Sequence, residues 1–298
     1  MHRLLAVFAI ATPLLAAPDA PPVRRLLISG CALGYVAIVD TAGKTLWRLP
    51  QPQETNDAWL LPDGHVLFAY KHGLREVVPD LTTGQGAVTA WERPTPEGGE
   101  THACQPLPEG RILVGESYQG LSRILEIDRA GKEYVRVELK DFGGAHGSFR
   151  QIRKTPQGTY LVTQQRGGGK ALEIDAEGKT LRTFPGGRFA AFRLPDGNTL
   201  VACGDEHRFI EVNPQGEIVW SVNQNDLPEI SLGFASGLQR LPNGNTILTN
   251  WGGHGGSAGA AIIEITRDKQ VVWRSPAAIT NRVSSVFVLD VPADQVWR

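Results

Sequence analysis

Short apolar stretches alternate with glycine-containing turns along almost the whole chain. In five places an apolar run, a Pro-(acid or amide)-Gly turn and a second apolar run follow one another, as in AWLLPDGHVLFAY from Ala58 and AFRLPDGNTLVAC from Ala191. The turn glycines, 46, 48, 39 and 47 residues apart, are Gly64, Gly110, Gly158, Gly197 and Gly244. Short β-branched and aromatic runs around such a turn predict a β-hairpin.

A second hairpin follows each of these, and one further copy precedes them all. Its six copies include YVAIVDTAGKTLW from Tyr35, KALEIDAEGKTLR from Lys170 and AIIEITRDKQVVW from Ala261. Two hairpins make four strands, and six units give about 46 residues per unit, which is typical of a propeller blade. The pattern therefore predicts an all-β fold, a six-bladed β-propeller of four-stranded blades, as a single domain over residues 24–298.

The two ends of this pattern complement each other. Leu26 to Cys31 reads as a second strand with no first strand before it, while Val283 to Leu289 reads as a first strand with only a short tail after it. Together they predict a sixth blade shared by both termini. Such a blade would close the ring and remove an exposed sheet edge.

The blade sequences also resemble those of known families. The unit LPDGNTLVACGDEHRFIEVNPQGEIVW, residues 194–220, resembles the blades of quinoprotein-like and arylsulfotransferase-like β-propellers, and more loosely those of NHL-type and gluconolactonase-type six-bladed rings. The resemblance implies the ring, but such rings have many unrelated functions. Asp80 and Gly84 keep the acid-to-glycine spacing of the quinoprotein blade motif, whereas three other blades shorten it by one residue. Quinoprotein dehydrogenases also have eight blades, so the resemblance argues against a quinone cofactor.

The first 20 residues have the order of a secretory signal. His2 and Arg3 precede an apolar run from Leu4 to Ala11, and the stretch up to Ala17 ends in small residues. This order predicts a signal peptide and leader over residues 1–20, and hence an exported protein, periplasmic or extracellular. No later segment is apolar enough to predict a membrane span. A disordered or helical tail is the alternative.

Composition narrows the classes of function. Thirty basic and 31 acidic residues give a formal charge of −1, which argues against a nucleic-acid binder. The cysteines are widely spaced, one each on the first, third and fifth blades, and predict neither a disulfide nor a structural zinc site. They are Cys31, Cys104 and Cys203. We expect a monomer whose partner is a small molecule.

Alignment of the blades on the turn glycine indicates where a site would lie. Three and four residues after the glycine every blade carries a core-type Leu, Ile, Val or Phe. Six residues after it and eight before it the residue type varies, and both positions lie at the end of the first hairpin remote from its turn. We call this end of the ring the mouth and the opposite end the turn face. The mouth positions are Cys31, Tyr70, Glu116, Gln164, Cys203, Asn250, Asn56, His102, Arg150, Phe189, Ser236 and Ser284.

Concave ends with a few polar groups are common ligand sites. The loops at the mouth add Lys71, His146, Arg166, Arg188, Asp205, His207, Trp251 and His254. Functional variation in repeat proteins typically occurs in the loops of one face.

The catalytic candidates are two histidines and a glutamate. His102 and His146 suit proton transfer or metal ligation near neutral pH, or else are satisfied within the channel wall. Glu116 is the only carboxylate at its position among the blades. It would pair with Arg150, act as an acid or base beside His102, or bind a cation.

The other candidates are binding residues. Arg150, Arg166 and Arg188 would offer planar donors to a carboxylate, sulfate or phosphate. Tyr70 and Trp251 would stack on a sugar or aromatic ring, or else belong to the core. The remaining ligand-binding candidates are Lys71, Gln164, Asp205, His207, Asn250 and His254.

A divalent cation such as calcium is the cofactor that the oxygen-bearing residues suggest. Glu116, Asp205 and Asn250 carry ligand atoms of this type. Gluconolactonase-type rings hold a cation at the mouth, but this chain lacks their N-terminal Glu-Gly-Pro segment.

Three functions follow from these features. The leading hypothesis is an exported propeller that binds a small polar or carbohydrate-like ligand at the mouth. The alternatives are an arylsulfotransferase-like or lactonase-like enzyme, with a mouth histidine and Arg150, and a protein-interaction scaffold. The first two predict a pocket in which His102, Glu116 and Arg150 meet.

Overall fold

The computed structural model describes residues 23–139, 142, 145–165 and 168–298, and these form six four-stranded antiparallel sheets arranged in a ring. The predicted signal peptide and leader lie outside the described residues. Within this part of the chain, no helix has the length and apolar character needed to cross a membrane.

The strands of each blade run in order from the innermost to the outermost. Blade 1 consists of β24 (Ser285–Val288), β1 (Arg25–Ser29), β2 (Tyr35–Asp40) and β3 (Thr45–Pro50). Blade 2 consists of β4 (Thr55–Leu60), β5 (Val66–Tyr70), β6 (Gly73–Pro79) and β7 (Ala87–Pro94). Blade 3 consists of β8 (Glu100–Pro106), β9 (Ile112–Tyr118), β10 (Leu121–Ile127) and β11 (Glu133–Leu139).

The second half of the ring has the same organisation. Blade 4 consists of β12 (Phe149–Lys154), β13 (Tyr160–Gln164), β14 (Ala171–Ile174) and β15 (Thr180–Phe184). Blade 5 consists of β16 (Ala190–Arg193), β17 (Thr199–Ala202), β18 (Phe209–Val212) and β19 (Ile218–Val222). Blade 6 consists of β20 (Phe234–Arg240), β21 (Thr246–Trp251), β22 (Ile262–Ile265) and β23 (Val271–Arg274). Short 3₁₀ turns occupy Pro108–Gly110, Ala145–Gly147 and Ala293–Gln295.

The ring closes in blade 1, as the sequence predicts. Strand β24 pairs with β1 in antiparallel register, with Leu26 opposite Val288 and Ser29 opposite Ser285. The two ends of the pattern therefore supply one blade, and the predicted closure is confirmed.

Apolar packing between blades fills the ring. The aligned Leu and Ile positions of the second strands, such as Leu113 and Leu200, are completely buried. Gly115 lies where blades 3 and 4 approach each other, and a Cβ there would come within 2.8 Å of Ile152 and Phe149. The small residue is therefore required by close packing near the axis.

Ion pairs between neighbouring blades supplement the apolar contacts on the turn face. A glutamate on the third strand of blades 2 to 6, buried in all but blade 4, binds a basic residue of the next blade. These pairs are Glu76 with Arg129, Glu126 with Lys154, Glu173 with Arg193, Glu211 with Arg240, and Glu264 with Arg24. The glutamate recurs in the sequence at a fixed place in the second hairpin, as in LEID and IEVN.

Tryptophans make a second set of ties. In five of the seven, the indole Nε1–H donates to a main-chain oxygen of the next blade. They are Trp47 to Gly86, Trp59 to Cys104, Trp91 to Arg129, Trp220 to Arg267 and Trp273 to Thr41. These five tryptophans join neighbouring blades. Trp251 differs from them because its indole Nε1 has no hydrogen-bond partner in the described part of the chain.

Candidate functional site

Four innermost strands carry a β-bulge at the mouth. Pairing with the second strand shifts register at Asn56 in blade 2, His102 in blade 3, Arg150 in blade 4 and Ser236 in blade 6. A bulge inserts an extra residue in one strand and redirects side chains there. These are the mouth positions eight residues before the turn glycine. The bulges therefore lie where the residue type varies from blade to blade.

A small cavity lies at the mouth. It encloses about 30 Å³, room for about two water molecules. Its walls come from five of the six blades and consist of Cys31, Asn56, Arg150, Gln165, Phe189, Phe234, Trp251, His254 and Ser284. Five of these nine belong to the twelve predicted mouth positions, and Trp251 and His254 to the predicted loops.

A buried polar network fills the channel beneath this cavity. Arg153 donates to both carboxylate oxygens of Asp57, at 2.7 and 3.0 Å, and Arg298 lies 3.4 Å from the same carboxylate. The side-chain amide of Gln151 donates to the main-chain oxygen of Asn56 at 2.9 Å. The cavity is therefore a pocket with a floor.

Two polar atoms of the pocket walls have no protein partner. The side-chain oxygen of Asn56 and the indole Nε1 of Trp251 are buried and form no hydrogen bond within the described part of the chain. A buried polar atom left unpaired costs roughly 1–3 kcal/mol. A water or ligand donor at the Asn56 oxygen and an acceptor at the Trp251 indole would remove this cost.

Arg150 reaches the pocket from the bulge of blade 4. Its Nη1 donates to the main-chain oxygens of His146 and Phe149, at 3.0 and 2.9 Å, and its Nε lies 3.4 Å from Glu54. The side chain is 8% exposed, so its position is fixed by these contacts. The guanidinium is thus held in place as a donor beside the pocket.

One wall of the pocket is aromatic and includes a histidine. Phe234, Trp251 and His254 pack edge to face, with ring centroids 4.9–5.3 Å apart. The Nδ1 of His254 lies 2.8 Å from Asp205, which Arg188 also approaches at 3.3 Å. A carboxylate at Nδ1 favours the tautomer whose Nε2 is free to accept a proton. The carboxylate of Asp205 therefore holds the imidazole at the rim of the pocket.

A second group of imidazoles and carboxylates lies beside the pocket. Glu100 is approached by His146 Nδ1 at 3.1 Å, His102 Nε2 at 3.4 Å and Lys71 Nζ at 3.3 Å. The hydrogen bond with His102, followed by the bond with His146, lowers the pKa of Glu100 to about 2. His102 is completely buried against the Phe149 ring, whereas His146 is 54% exposed. Of the two histidines, only His146 offers solvent access.

Glu54 links this group to Arg150. Asn56 donates to Glu54 at 2.7 Å, and His146 lies 3.7 Å away. Burial alone would raise the pKa of Glu54, but the charge of Arg150 and the hydrogen bond from Asn56 outweigh it, so the net shift is downward. Glu54 therefore stays ionised and holds two of the pocket residues.

The cysteines at the mouth are not activated thiols. Burial, then the charge of Glu54, raises the pKa of Cys31 to about 12. Burial likewise raises the pKa of Cys203 to about 12. Since the thiolate is the nucleophile, neither residue fits covalent catalysis.

Glu116 lies away from the pocket and does not meet Arg150. Its fully buried carboxylate accepts hydrogen bonds from Arg93 of blade 2, at 2.6 and 3.2 Å, and from Arg123 at 2.7 Å. Burial would raise the pKa of Glu116, but the two guanidinium groups outweigh it and lower it. The expected pairing with Arg150 is replaced because the outer strand of the preceding blade supplies a nearer cation.

Several other candidates are engaged by their own surroundings. Tyr70 donates to Glu92 on the outer strand of its blade. The side chain of Asn250 accepts from the Gly233 N–H and donates to two loop carbonyls, and His207 binds the Gly233 carbonyl. Gln164 pairs with Lys170 and Phe149 through its main chain, and Arg166 lies outside the described residues.

The three residues suggested for calcium are not arranged as one ligand set. Glu116 is held by two arginines, the Asn250 amide spans a loop, and Asp205 is paired with His254. Within the described ranges, the group of ligand-type side chains that does come together is Asp63, His65 and Glu76 on the turn face.

One residue of the pocket, Phe234, was not predicted from the sequence. It lies two residues before the Ser236 position and outside the aligned positions, whereas Gln165 belongs to the mouth loop that follows the predicted Gln164 position. The recurring glutamate of the LEID-type segments could have predicted the ion pairs between blades, but the alignment on the turn glycine did not include it.

Comparison with known proteins supports the fold. A scan against protein-family models finds no match, and a search of curated proteins finds none either. The structure is similar to that of a protein of unknown function from Bacteroides caccae, with a TM-score of 0.78 and 29% identity, covering 89% of this chain and 98% of that one.

Two lyase structures are more distant. A streptogramin B lyase gives a TM-score of 0.60 at 14% identity, covering 95% of this chain and 94% of that one. A catalytically inactive variant of virginiamycin B lyase from Staphylococcus aureus, solved with quinupristin, gives 0.56 at 16% identity, covering 90% and 88%. At these identities the similarity supports the propeller fold alone.

Proposed function

We propose that this propeller binds a small polar, carbohydrate-like ligand at its mouth. The observation that supports this most directly is the pair of unsatisfied buried atoms in the pocket, the Asn56 oxygen and the Trp251 indole N–H. A hydroxyl group both donates and accepts, so the hydroxyl groups of such a ligand suit both a free acceptor and a free donor.

The size of the pocket limits what enters it. A volume of about 30 Å³ admits one polar group of a ligand, while the remainder would lie over the exposed rim at His254 and His146. The aromatic wall would pack against the apolar face of a sugar ring. Arg150 would donate to a second oxygen.

A substitution of Trp251 tests this proposal. The wild type and Trp251→Phe are compared by thermal unfolding with monosaccharides, uronic acids and simple carboxylates. A bound ligand raises the midpoint, because it binds only the folded state. Trp251→Phe keeps the aromatic wall, removes the unpaired N–H, and is expected to lose most of the ligand-induced shift.

Trp91→Phe is the matched control. It removes an indole N–H that is already bonded to Arg129, so it is expected to lower intrinsic stability while keeping the ligand-induced shift. If Trp251→Phe responds to ligands as the wild type does, the pocket is not the binding site.

An enzyme of arylsulfotransferase-like or lactonase-like type is a second candidate, and the His254–Asp205 pair favours it. His254 would move a proton at the pocket while Arg150 steadies a developing negative charge. The test measures transfer from 4-nitrophenyl sulfate to phenol and hydrolysis of small lactones, in His254→Gln, His146→Gln and the turn-face control His65→Gln. Loss of turnover in His254→Gln alone would support this pair, and unchanged rates in both mouth variants would exclude an acid–base role.

We also propose that the protein is exported, on the strength of residues 1–20. Sequencing the N-terminus of the protein recovered outside the cytoplasm would reveal cleavage before residue 24 if this is right.

A further inference from the structure

A second and larger cavity lies at the turn face, at the other end of the filled channel. It encloses about 550 Å³, within the usual range for small-molecule sites. Its walls are the turns of blades 3 and 4, the end of β16 in blade 5 and the segment 296–298. This segment crosses the ring and is held by the main-chain pairing of Trp297 with Arg240. This cavity and the pocket at the mouth share no lining residue.

The residue four positions before the turn glycine differs between blade 3 and the three blades that follow it. Lys154, Arg193 and Arg240 lie four residues before the turn glycine in blades 4, 5 and 6. Blade 3 has Pro106 at this position, and Pro106, Lys154 and Arg193 all line the cavity.

The walls of this cavity are rich in cations. The basic side chains are Arg111, Arg153, Lys154, Arg193 and Arg298, and the acidic ones are Glu109 and Glu126. Arg153 and Arg298 are committed to Asp57 at the channel floor.

The other three cations keep donors available. Arg193 binds Glu173 through Nη2, but its Nε is buried without a partner in the described part of the chain. Lys154 makes one bond, to Glu126, and remains 29% exposed. Arg111 pairs with Glu109, a surface carboxylate that is itself 74% exposed, and stacks on the Tyr134 ring.

We propose that this turn-face cavity binds a small organic anion, a phosphate or carboxylate with an apolar body. Arg111, Lys154 and Arg193 would bind the charged group, since each has N–H donors besides the one that it gives to a carboxylate. Phe192 and Trp297 line the same cavity and would contact the apolar body.

The experiment uses phenyl phosphate and benzoate as ligands, inorganic phosphate as the headgroup control, and titration calorimetry on the full-length protein. We expect saturable binding of at least one of the two organic anions, and weaker binding of inorganic phosphate. Arg111→Gln should weaken binding about tenfold or more, because one charge-assisted hydrogen bond is lost.

Two control variants make the result specific. Arg136→Gln removes an exposed arginine paired with Glu133 outside the cavity, and should leave binding unchanged. Arg150→Met changes the pocket at the mouth and should also leave binding of the anion unchanged. Lys154→Met, checked for folding by circular dichroism, should weaken binding as Arg111→Gln does.

Three outcomes would overturn the proposal. These are absence of saturable binding by either organic anion, equal binding by wild type and Arg111→Gln, and loss of binding in Arg150→Met alone. The last result would place the anion at the mouth.

Discussion

Replacing Glu116 by Gln separates a structural role for this residue from a catalytic one. The carboxylate is completely buried and is bound by Arg93 and Arg123, whose side chains are 20% and 17% exposed. Glutamine keeps the shape but has one acceptor oxygen, and its amide N–H group would face guanidinium donors. The three hydrogen bonds to the carboxylate would therefore be reduced to one or two.

The expected cost follows from this geometry. Breaking a buried ion pair destabilises by about 3–5 kcal/mol, and the partial exposure of both arginines favours the lower end, about 3 kcal/mol. Unfolding entropy of roughly 2 cal/mol/K per residue gives about 0.6 kcal/mol/K for a ring of this size, so the midpoint should fall by about 5 °C.

Thermal unfolding followed by circular dichroism measures this change. Glu133→Gln is the control, because it removes a carboxylate from an exposed pair with Arg136 and should cost less than about 1 kcal/mol. A Glu116→Gln protein with an unchanged midpoint but no ligand response would refute the reasoning and restore Glu116 as a functional residue.

The remaining predictions concern ring closure, acidity and the thiols. Deleting residues 283–298 should remove β24 and leave an aggregation-prone ring, and cooperative unfolding at wild-type stability would contradict this closure. The hydrogen bond with His102 lowers the pKa of Glu100 to about 2. Ionised Glu100 therefore contributes its full stabilisation of the folded state above about pH 4.5, and this contribution is lost as the pH falls toward 2. In urea titrations, the stability difference between wild type and Glu100→Gln should therefore shrink over that interval. Mass analysis of unreduced protein should find three free thiols, at Cys31, Cys104 and Cys203.

The turn spacing was sufficient to predict the architecture. Regular glycines and paired hairpins determine blade number, and the incomplete pattern at Leu26 and Val283 determines the closure. These features are local, because each hairpin is specified by its own turn and its own alternation of side chains. The mouth ring followed from the same alignment, and its members Asn56 and Arg150 line the pocket.

The pairing of individual side chains could not be predicted in this way. Glu116 is bound by Arg93 from the outer strand of another blade, a contact set by the stagger between sheets. The pairing of Asp205 with His254 joins loops of blades 5 and 6, which alignment within a blade does not relate. The bulge at Arg150 depends on the register between two strands. The alternation of apolar and polar residues along one strand does not reveal where an extra residue is inserted.

The antiparallel pairing of β24 with β1 also determines the order of folding. The paired residues, such as Ser29 and Ser285, are more than 250 positions apart, and closing a loop of that length costs about 5 kcal/mol of chain entropy. Blades 2 to 6 are each built from consecutive segments and can form earlier. Until β24 arrives, β1 presents an unpaired edge to other chains, which favours aggregation at this stage. Any delay in supplying residues 285–288 therefore prolongs the period in which a nearly complete propeller is vulnerable.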